Sequence, residues 1–403
     1  MGKNITGNML IAQSGGPTAV INQSLAGAVI EAKKHFQIKK IYGARHGIKG
    51  ILEKDFIDLG RETAENLEKV ARTPSSALGT VRKKPTPEDC GIIFRTLHMF
   101  GVRYFFYIGG NDSAETAHII NQEAKKVKWE LRCFHIPKTI DNDLRENDHT
   151  PGYGSAAKFV ASAFMGDNLD NLALPGVKID IVMGRHAGFL TAASALGRSM
   201  PGDGPHLIYL PERPFGMDKF IRDVSGVYKK LGRCLVAVSE GISDGKGVAI
   251  AAKFIREKDA HGNVQLSGSG ALGDLLAAEI KTRTKITRVR ADTFGYLQRS
   301  FPGIVSETDA KEARLAGEIA VKRAAAKDTD GSIAIRRKPS KKYSVYFERV
   351  PLESVAKETR EMPAKFINSA GNNVTQAFID YAGPIAGELP PVGRLKNYRI
   401  VKK

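Results

Sequence analysis

The 403-residue sequence predicts an α/β protein built on parallel sheets, and three observations carry the prediction. Strand-like apolar runs alternate with helix-like segments through the first two-thirds of the chain, the pattern of β–α–β crossovers. Several of those runs stop on glycines or polar residues just ahead of the next segment. The length suffices for two or three domains, each with a core of its own.

The first run, NMLIAQ, leads through Ser14-Gly15-Gly16-Pro17-Thr18 into a helix expected over Ala19 to Lys34, and KKIYGA is the second strand. VRYFFYIGG ends in Gly109-Gly110-Asn111-Asp112-Ser113, ahead of a helix over Ala114 to Val127. LRCFHIP runs into Pro137-Lys138-Thr139-Ile140-Asp141-Asn142-Asp143, followed by a helix over Ala156 to Asn168. IDIVMG continues into Gly184-Arg185 and a helix over Ala187 to Leu196, while HLIYLPE and CLVAVSEG complete the set, the last on Glu240-Gly241. Ligands of open α/β sheets sit beyond the carboxyl ends of the strands, so these termini are expected to gather. Past Gly241 the pattern loosens. Residues 243–266 read as turns and strands, a helix returns over Ala271 to Thr282, and another starts near Lys311. DGSIAIRRKPSKKYSVYFERV reads as two strands around a KPSKK turn, and AGPIAGELPPVG as an irregular tail.

Composition narrows the classes. Apolar residues make up 42% and charged residues 26%, ordinary for a globular protein. No apolar run approaches the roughly 18 residues of a membrane span, and the first residues hold too short an apolar stretch for a secretory signal. Cys90, Cys133 and Cys234 are odd in number and far apart, which fits thiols in a reducing cytosol rather than disulfides or a zinc site. The net charge of +18 predicts attraction for anions. Residues 311–403 carry half of that excess and read as a solvated basic surface. An aromatic-plus-basic motif for nucleic acid is missing.

Three segments carry candidate chemistry. Glycines 15 and 16 let backbone N–H groups approach a phosphate at a helix start, although glycine and proline there also serve simply to turn the chain. At Asn111-Asp112-Ser113, a carboxylate and a carboxamide stand where phosphates and a divalent cation would meet, and the same residues suit a helix cap. Lys138 to Asp143 is the densest segment: a lysine to neutralise a phosphoryl group, a hydroxyl, and two aspartates, one able to take a proton. A calcium loop starting at Asp141 fails because Glu146 occupies its glycine position. Met183, Gly184, Arg185, Glu240, Arg290, Tyr296 and Arg299 together offer what a sugar phosphate needs.

In this order, S-G-G, L-G-T-V-R (Leu78 to Arg82), G-G-N-D-S, P-K-T-I-D-N-D, M-G-R, S-E-G and G-Y-L-Q-R resemble the phosphofructokinase family from about Met9 to Arg299. The resemblance implies two similar Rossmann-like three-layer α/β domains with parallel-rich sheets, the active site in the cleft between them, and a C-terminal extension. It assigns 1–145, completed by about 270–310, to pyrophosphate and metal, 146–269 to the sugar phosphate, and 311–403 to a basic extension. It implies that Asp141 is the general base for the 1-hydroxyl of fructose 6-phosphate, flanked by Thr139 and Asp143. Gly15, Gly16, Arg82, Asp112, Ser113 and Lys138 would hold the donor phosphates. Met183, Gly184, Arg185 and Glu240 would hold the sugar, and Arg290, Tyr296 and Arg299 its 6-phosphate end. Mg2+ is the implied cofactor, with Asn111 and Asp112 as its contacts.

Asp112 and Lys138 decide the expected donor. ATP-using members typically carry glycine at both positions, and pyrophosphate-dependent members resemble this chain. A carboxylate at Asp112 crowds and repels a nucleotide's α-phosphate, while Lys138 favours the smaller donor. ATP as donor, or sedoheptulose 7-phosphate as a further substrate, are the alternatives. Asn111 stands where many relatives carry aspartate, Tyr296 replaces a histidine of ATP-type enzymes, and Lys178 lies where some relatives offer an arginine to a neighbouring subunit. The resemblance further implies a cytoplasmic homodimer or homotetramer with small-molecule substrates, no nucleic acid and no membrane partner.

Overall fold

The computed structural model describes residues 5–253, 269–326, 328–340, 342–356 and 358–396. Its elements run β1 (Gly7–Gln13), α1 (Ile21–Ala32), β2 (Ile38–Ala44), α2 (Ile48–Glu53), β3 (Phe56–Asp58), α3 (Ala64–Ala71), α4 (Pro87–Met99), β4 (Val102–Gly109), α5 (Asn111–Lys126) and β5 (Arg132–Pro137). They continue with α6 (Tyr153–Ala173), β6 (Val177–Val182), α7 (Phe189–Ala192), β7 (Leu207–Tyr209), α8 (Met217–Leu231), β8 (Cys234–Ser239), α9 (Ala271–Arg283) and β9 (Val289–Thr293). The last four are α10 (Glu307–Ala325), β10 (Asp330–Arg337), β11 (Val345–Val350) and α11 (Gln376–Ala386).

Two sheets result. The larger has the order β11-β10-β5-β4-β1-β2-β3, parallel except at its outermost pairs, β2 with β3 and β10 with β11. The smaller, β7-β8-β6-β9, is wholly parallel. Central strands covered on both faces need apolar residues throughout; β5 and β8 are buried along their whole length. The fold is that of the phosphofructokinase resemblance, α/β with parallel-rich sheets. The three cysteines are free and buried.

Local signals explain several helix ends. Thr86 and Asp89 form a reciprocal capping box at the start of α4, with proline at its first position. Gly232 closes α8 in the left-handed conformation. The start of α6 is capped from a distance: Asp309 on α10 accepts from the backbone of Gly152 and of Ser155, each at 2.8 Å. Burial raises the Asp309 carboxyl to about 6 despite those donors. On β5, His135 Nε2 faces the Gly109 carbonyl at 2.8 Å and so carries the proton, leaving Nδ1 to accept from Ser332 on β10 at 2.8 Å. Burial lowers this imidazole to about 4, keeping it neutral while it ties three strands together.

Four expectations change. The stretch 270–310 does not complete the first sheet: β9 pairs with β6, because its alternately exposed Val289-Arg-Ala-Asp-Thr suits an edge strand. The larger sheet is completed instead by β10, whose Asp330-Gly331-Ser332 pairs with β5 and whose Ile333-Ala334-Ile335 is buried, and by β11. The segment read as a solvated basic extension therefore supplies core, and α11 buries Phe378, Ala382 and Ile385 as well. The tail expected to be irregular begins as the end of α11, helical through Ala386 although Pro384 removes one backbone donor, and is irregular from Gly387 onward. The helix expected over Ala187 to Leu196 is one turn of α7 followed by a 3-10 turn over Ala193–Gly197. Of the turns and strands read over 243–266, residues 254–266 lie outside the described residues; the described part makes a bridge between Ser243 and Ala249.

Candidate active site

The carboxyl ends of β1, β4, β5, β6 and β8 converge on one cavity of about 310 Å³ between the two sheets. Gly15, Gly16, Arg82, Asn111, Asp112, Ser113, Lys138, Thr139, Asp141, Asp143, Met183, Arg185 and Glu240 all line it.

The wall on the side of the larger sheet begins after β1. Gly15 has φ +74, and a Cβ there would stand 3.1 Å from Lys138 Nζ, so glycine is needed both for conformation and for the approach of the ammonium. Lys138 Nζ donates to the Gly16 carbonyl at 2.8 Å, and its side chain is buried. Gln13, also buried, accepts from Ser76 Oγ at 2.6 Å and from the Leu78 backbone at 2.9 Å. It thereby fixes the segment that brings Arg82 to the cavity. At the start of α5, Asn111 Oδ1 accepts from the Asp112 backbone at 3.0 Å. The Asp112 carboxylate lies 3.0 Å from Lys84 Nζ, which also meets Glu115 at 2.6 Å. Asp112 is thus not an isolated negative charge.

The turn Lys138 to Asp143 follows β5. Asp141 N–H is received by Thr139 Oγ1 at 3.1 Å, and Thr150 Oγ1 donates to the Thr139 carbonyl at 2.9 Å. Burial raises the Asp141 carboxyl, although Lys138, His186, Arg299 and Arg185 all pull it down. Asp143 is pushed up to about 7 by burial and by the neighbouring charge of Asp141. Burial lowers Lys138 to about 7, with Arg299 and Arg82 adding to the fall and the two aspartates opposing it.

The opposite wall comes from the smaller sheet. Ser239 Oγ donates to the Gly184 carbonyl at 2.6 Å and the Gly184 backbone to Glu240 at 3.4 Å, locking the M-G-R loop onto the end of β8. Gln298, buried within G-Y-L-Q-R, accepts from the Met183 backbone at 3.2 Å. Arg299 reaches the donor loop: a Cβ on Gly16 would meet its Nη1 at 2.8 Å. Its Nε is buried with no hydrogen-bond partner among the described residues, and the guanidinium lies over the Tyr296 ring at 4.5 Å.

Gly184, Tyr296 and Arg299 adjoin the lining residues without lining the cavity themselves, and Arg290 and Lys178 stand elsewhere. Arg290 lies exposed on β9, away from the cavity lining, its Nη1 on the Val289 carbonyl at 3.1 Å. Lys178 is engaged by its own chain, pairing with Asp292 and, at 3.3 Å, with Asp167. Lys83, Lys84, Thr116, His186 and Thr359 line the cavity without having been singled out. Position alone marks the two lysines, which follow L-G-T-V-R, and His186, which follows M-G-R; Thr359 has no local signal. Among the described residues no group of three or more His, Cys, Asp or Glu could hold a metal ion by itself.

A wall of cations and backbone donors facing a partly buried carboxylate pair is the arrangement of a phosphotransferase, whose work is positioning and charge neutralisation. Residues 8–323 match the family model described as Phosphofructokinase, and this chain belongs to that family. It is 56% identical over 399 residues to the pyrophosphate--fructose 6-phosphate 1-phosphotransferase of Rhodospirillum rubrum, covering 98% of both chains. Identity to the protein of that name from Xanthomonas campestris is 37%, again over 98% of both. The crystal structure of a pyrophosphate-dependent phosphofructokinase from Marinobacter aquaeolei superposes with a TM-score of 0.85 at 33% identity, over 98% of each chain.

Proposed function

We propose that this chain transfers a phosphoryl group reversibly from inorganic pyrophosphate to the 1-hydroxyl of fructose 6-phosphate, giving fructose 1,6-bisphosphate and phosphate. The observation that carries the reading is the 56% identity, over 98% of both chains, to a relative named for that reaction. The cavity supports it, because Asp112 and Lys138, the two positions tied to the donor, line it together.

In this reading Asp141 accepts the proton of the 1-hydroxyl as the oxygen attacks phosphorus. Lys138 and Arg82 neutralise the transferring and leaving phosphates, and the backbone at Gly15 and Gly16 cradles them. Arg185 and Glu240 orient the sugar. Arg299, with a buried Nε awaiting an acceptor, takes the 6-phosphate beside Tyr296. Asn111 and Asp112 present hard oxygens at the donor wall, a set that suits Mg2+ completing its shell with phosphate and water. Bound there, the ion would neutralise phosphate charge.

Assembly as a homodimer or homotetramer and a cytoplasmic location belong to the same reading. Exposed Leu297 and Phe301 offer apolar surface for assembly, and sedimentation tests it. No helix among the described residues is long and apolar enough to cross a membrane. The deciding assay gives the protein fructose 6-phosphate and magnesium with either pyrophosphate or ATP. Turnover with pyrophosphate alone is expected; turnover with ATP alone would overturn the donor assignment.

A further inference from the structure

The catalytic turn is held by residues more than 200 positions away in sequence. Arg360 donates from Nε to the Asn142 carbonyl at 2.9 Å, from Nη1 to the Asn147 carbonyl at 2.5 Å, and from Nη2 to the Asp148 carbonyl at 2.7 Å. Its backbone N–H donates to the Asp143 carbonyl at 2.8 Å, and Thr359 bridges to Leu144. Tyr381 on α11 adds a second clamp. Its hydroxyl accepts from Asn142 Nδ2 at 2.7 Å and donates to the Asp148 carbonyl at 2.7 Å, while its ring stacks on Phe366 at 5.1 Å.

Asn142, between the two aspartates, needs this support. It is buried with φ +59, a left-handed conformation that persists only where the surroundings enforce it. A turn with several buried carbonyls also needs donors from outside itself. Arginine suits that task, because its planar fork reaches three acceptors with little further loss of freedom.

The same strap reaches the other side of the cavity. Met362 N–H donates to Glu212 Oε1 at 3.3 Å, and that oxygen also receives the Gly188 N–H at 2.7 Å, just beyond the M-G-R loop. The Arg360 guanidinium lies 5.0 Å from the centre of the Phe189 ring. One short segment thus ties a turn on the larger sheet to a loop on the smaller.

We propose that the strap Thr359–Met362, with Arg360 and Tyr381 as positioning residues, sets the Asp141 carboxylate relative to the sugar loop and so governs the chemical step rather than substrate binding. This rests on the phosphoryl-transfer reading above. Neither residue lines the cavity, so each acts through the turn. Displacing a reacting group by about 1 Å costs on the order of 100-fold in rate.

The test compares full-length wild type with Tyr381→Phe, Arg360→Lys and Arg360→Met, measuring kcat, KM for both substrates, and the thermal unfolding midpoint. Tyr381→Phe is expected to lower kcat ~10-fold and Arg360→Met ~100-fold, with both KM values within about threefold of wild type. Arg360→Lys, keeping one donor, should fall between wild type and Arg360→Met. Values of kcat within twofold of wild type in folded Tyr381→Phe and Arg360→Met would overturn the proposal, as would a loss wholly explained by a smaller folded fraction. Should Arg360→Met not fold, Tyr381→Phe decides alone, since its ring and packing remain. Wild type that turns over pyrophosphate while the variants match it sinks the strap alone; wild type inactive with pyrophosphate sinks the functional reading and the strap with it.

Discussion

Lys138 and Asp141 lie three residues apart on one turn, and burial pushes both toward their neutral forms. The two groups favour each other's charged forms, and the arginines nearby favour the Asp141 carboxylate while pushing Lys138 further toward the neutral amine. Asp141→Asn removes the proposed proton acceptor with almost no change of shape. It is expected to lower kcat on the order of 1,000-fold while KM for fructose 6-phosphate moves little; a loss under tenfold would remove Asp141 from the role of base. Because that role needs the carboxylate, kcat/KM of the wild type should rise with pH. The rise should fall above the ordinary aspartate value of about 3.9, since burial raises the group. A rising limb at the ordinary value would show a solvated carboxylate instead.

Helix α1, which follows the donor loop, packs on α10 through small residues. A Cβ on Gly317 would stand 2.1 Å from the Ser24 carbonyl oxygen, and one on Gly27 2.4 Å from the Arg314 carbonyl oxygen. Both clashes are with backbone, which no rotamer change relieves. The approach also lets Ser24 Oγ donate to the Ala313 carbonyl at 2.9 Å. Gly317→Ala should therefore destabilise by about 2–3 kcal/mol by overpacking, against a gain in helix propensity of under about 1 kcal/mol. Urea unfolding measures the balance, and a neutral or stabilising result would mean the helices separate without cost. At this scale most elements were legible. The strands ahead of Ser14, Gly109, Lys138 and Glu240 could be read because burial on both faces leaves an apolar run and the loop chemistry is local. The partners of β9 and β10 could not, because neither strand's sequence names its neighbour.

Across the whole molecule, the C-terminal third meets the segment between β5 and α6 at His149. This imidazole is buried between Asp148 at 2.8 Å and Glu312 at 2.5 Å, with Tyr343 3.1 Å away and Arg337 on Asp148 at 3.1 Å. Burial lowers its pKa, but the two carboxylates outweigh that and leave it raised. A cation favoured by the fold stabilises fully below its unfolded value of about 6.5, and the contribution is lost as pH rises through the higher native value. Wild type should thus exceed His149→Gln in unfolding midpoint by the widest margin in mildly acidic solution, and the margin should narrow in alkaline solution. A margin that is constant or grows with pH would show that the imidazole is neutral in the fold.

By itself the sequence determined the α/β class, the family and the loops that meet at the cavity, since each strand, glycine turn and helix start is specified by a few adjacent residues. The tertiary structure alone decided that the last third completes the larger sheet, that Arg290 stays outside this chain's cavity while Lys84 and His186 enter it, and that Arg360 holds a turn 218 residues earlier. An arginine before Glu361 carries no local mark of the carbonyls it will meet. Its partners come within reach only when two sheets pack and bury a turn that cannot supply its own donors.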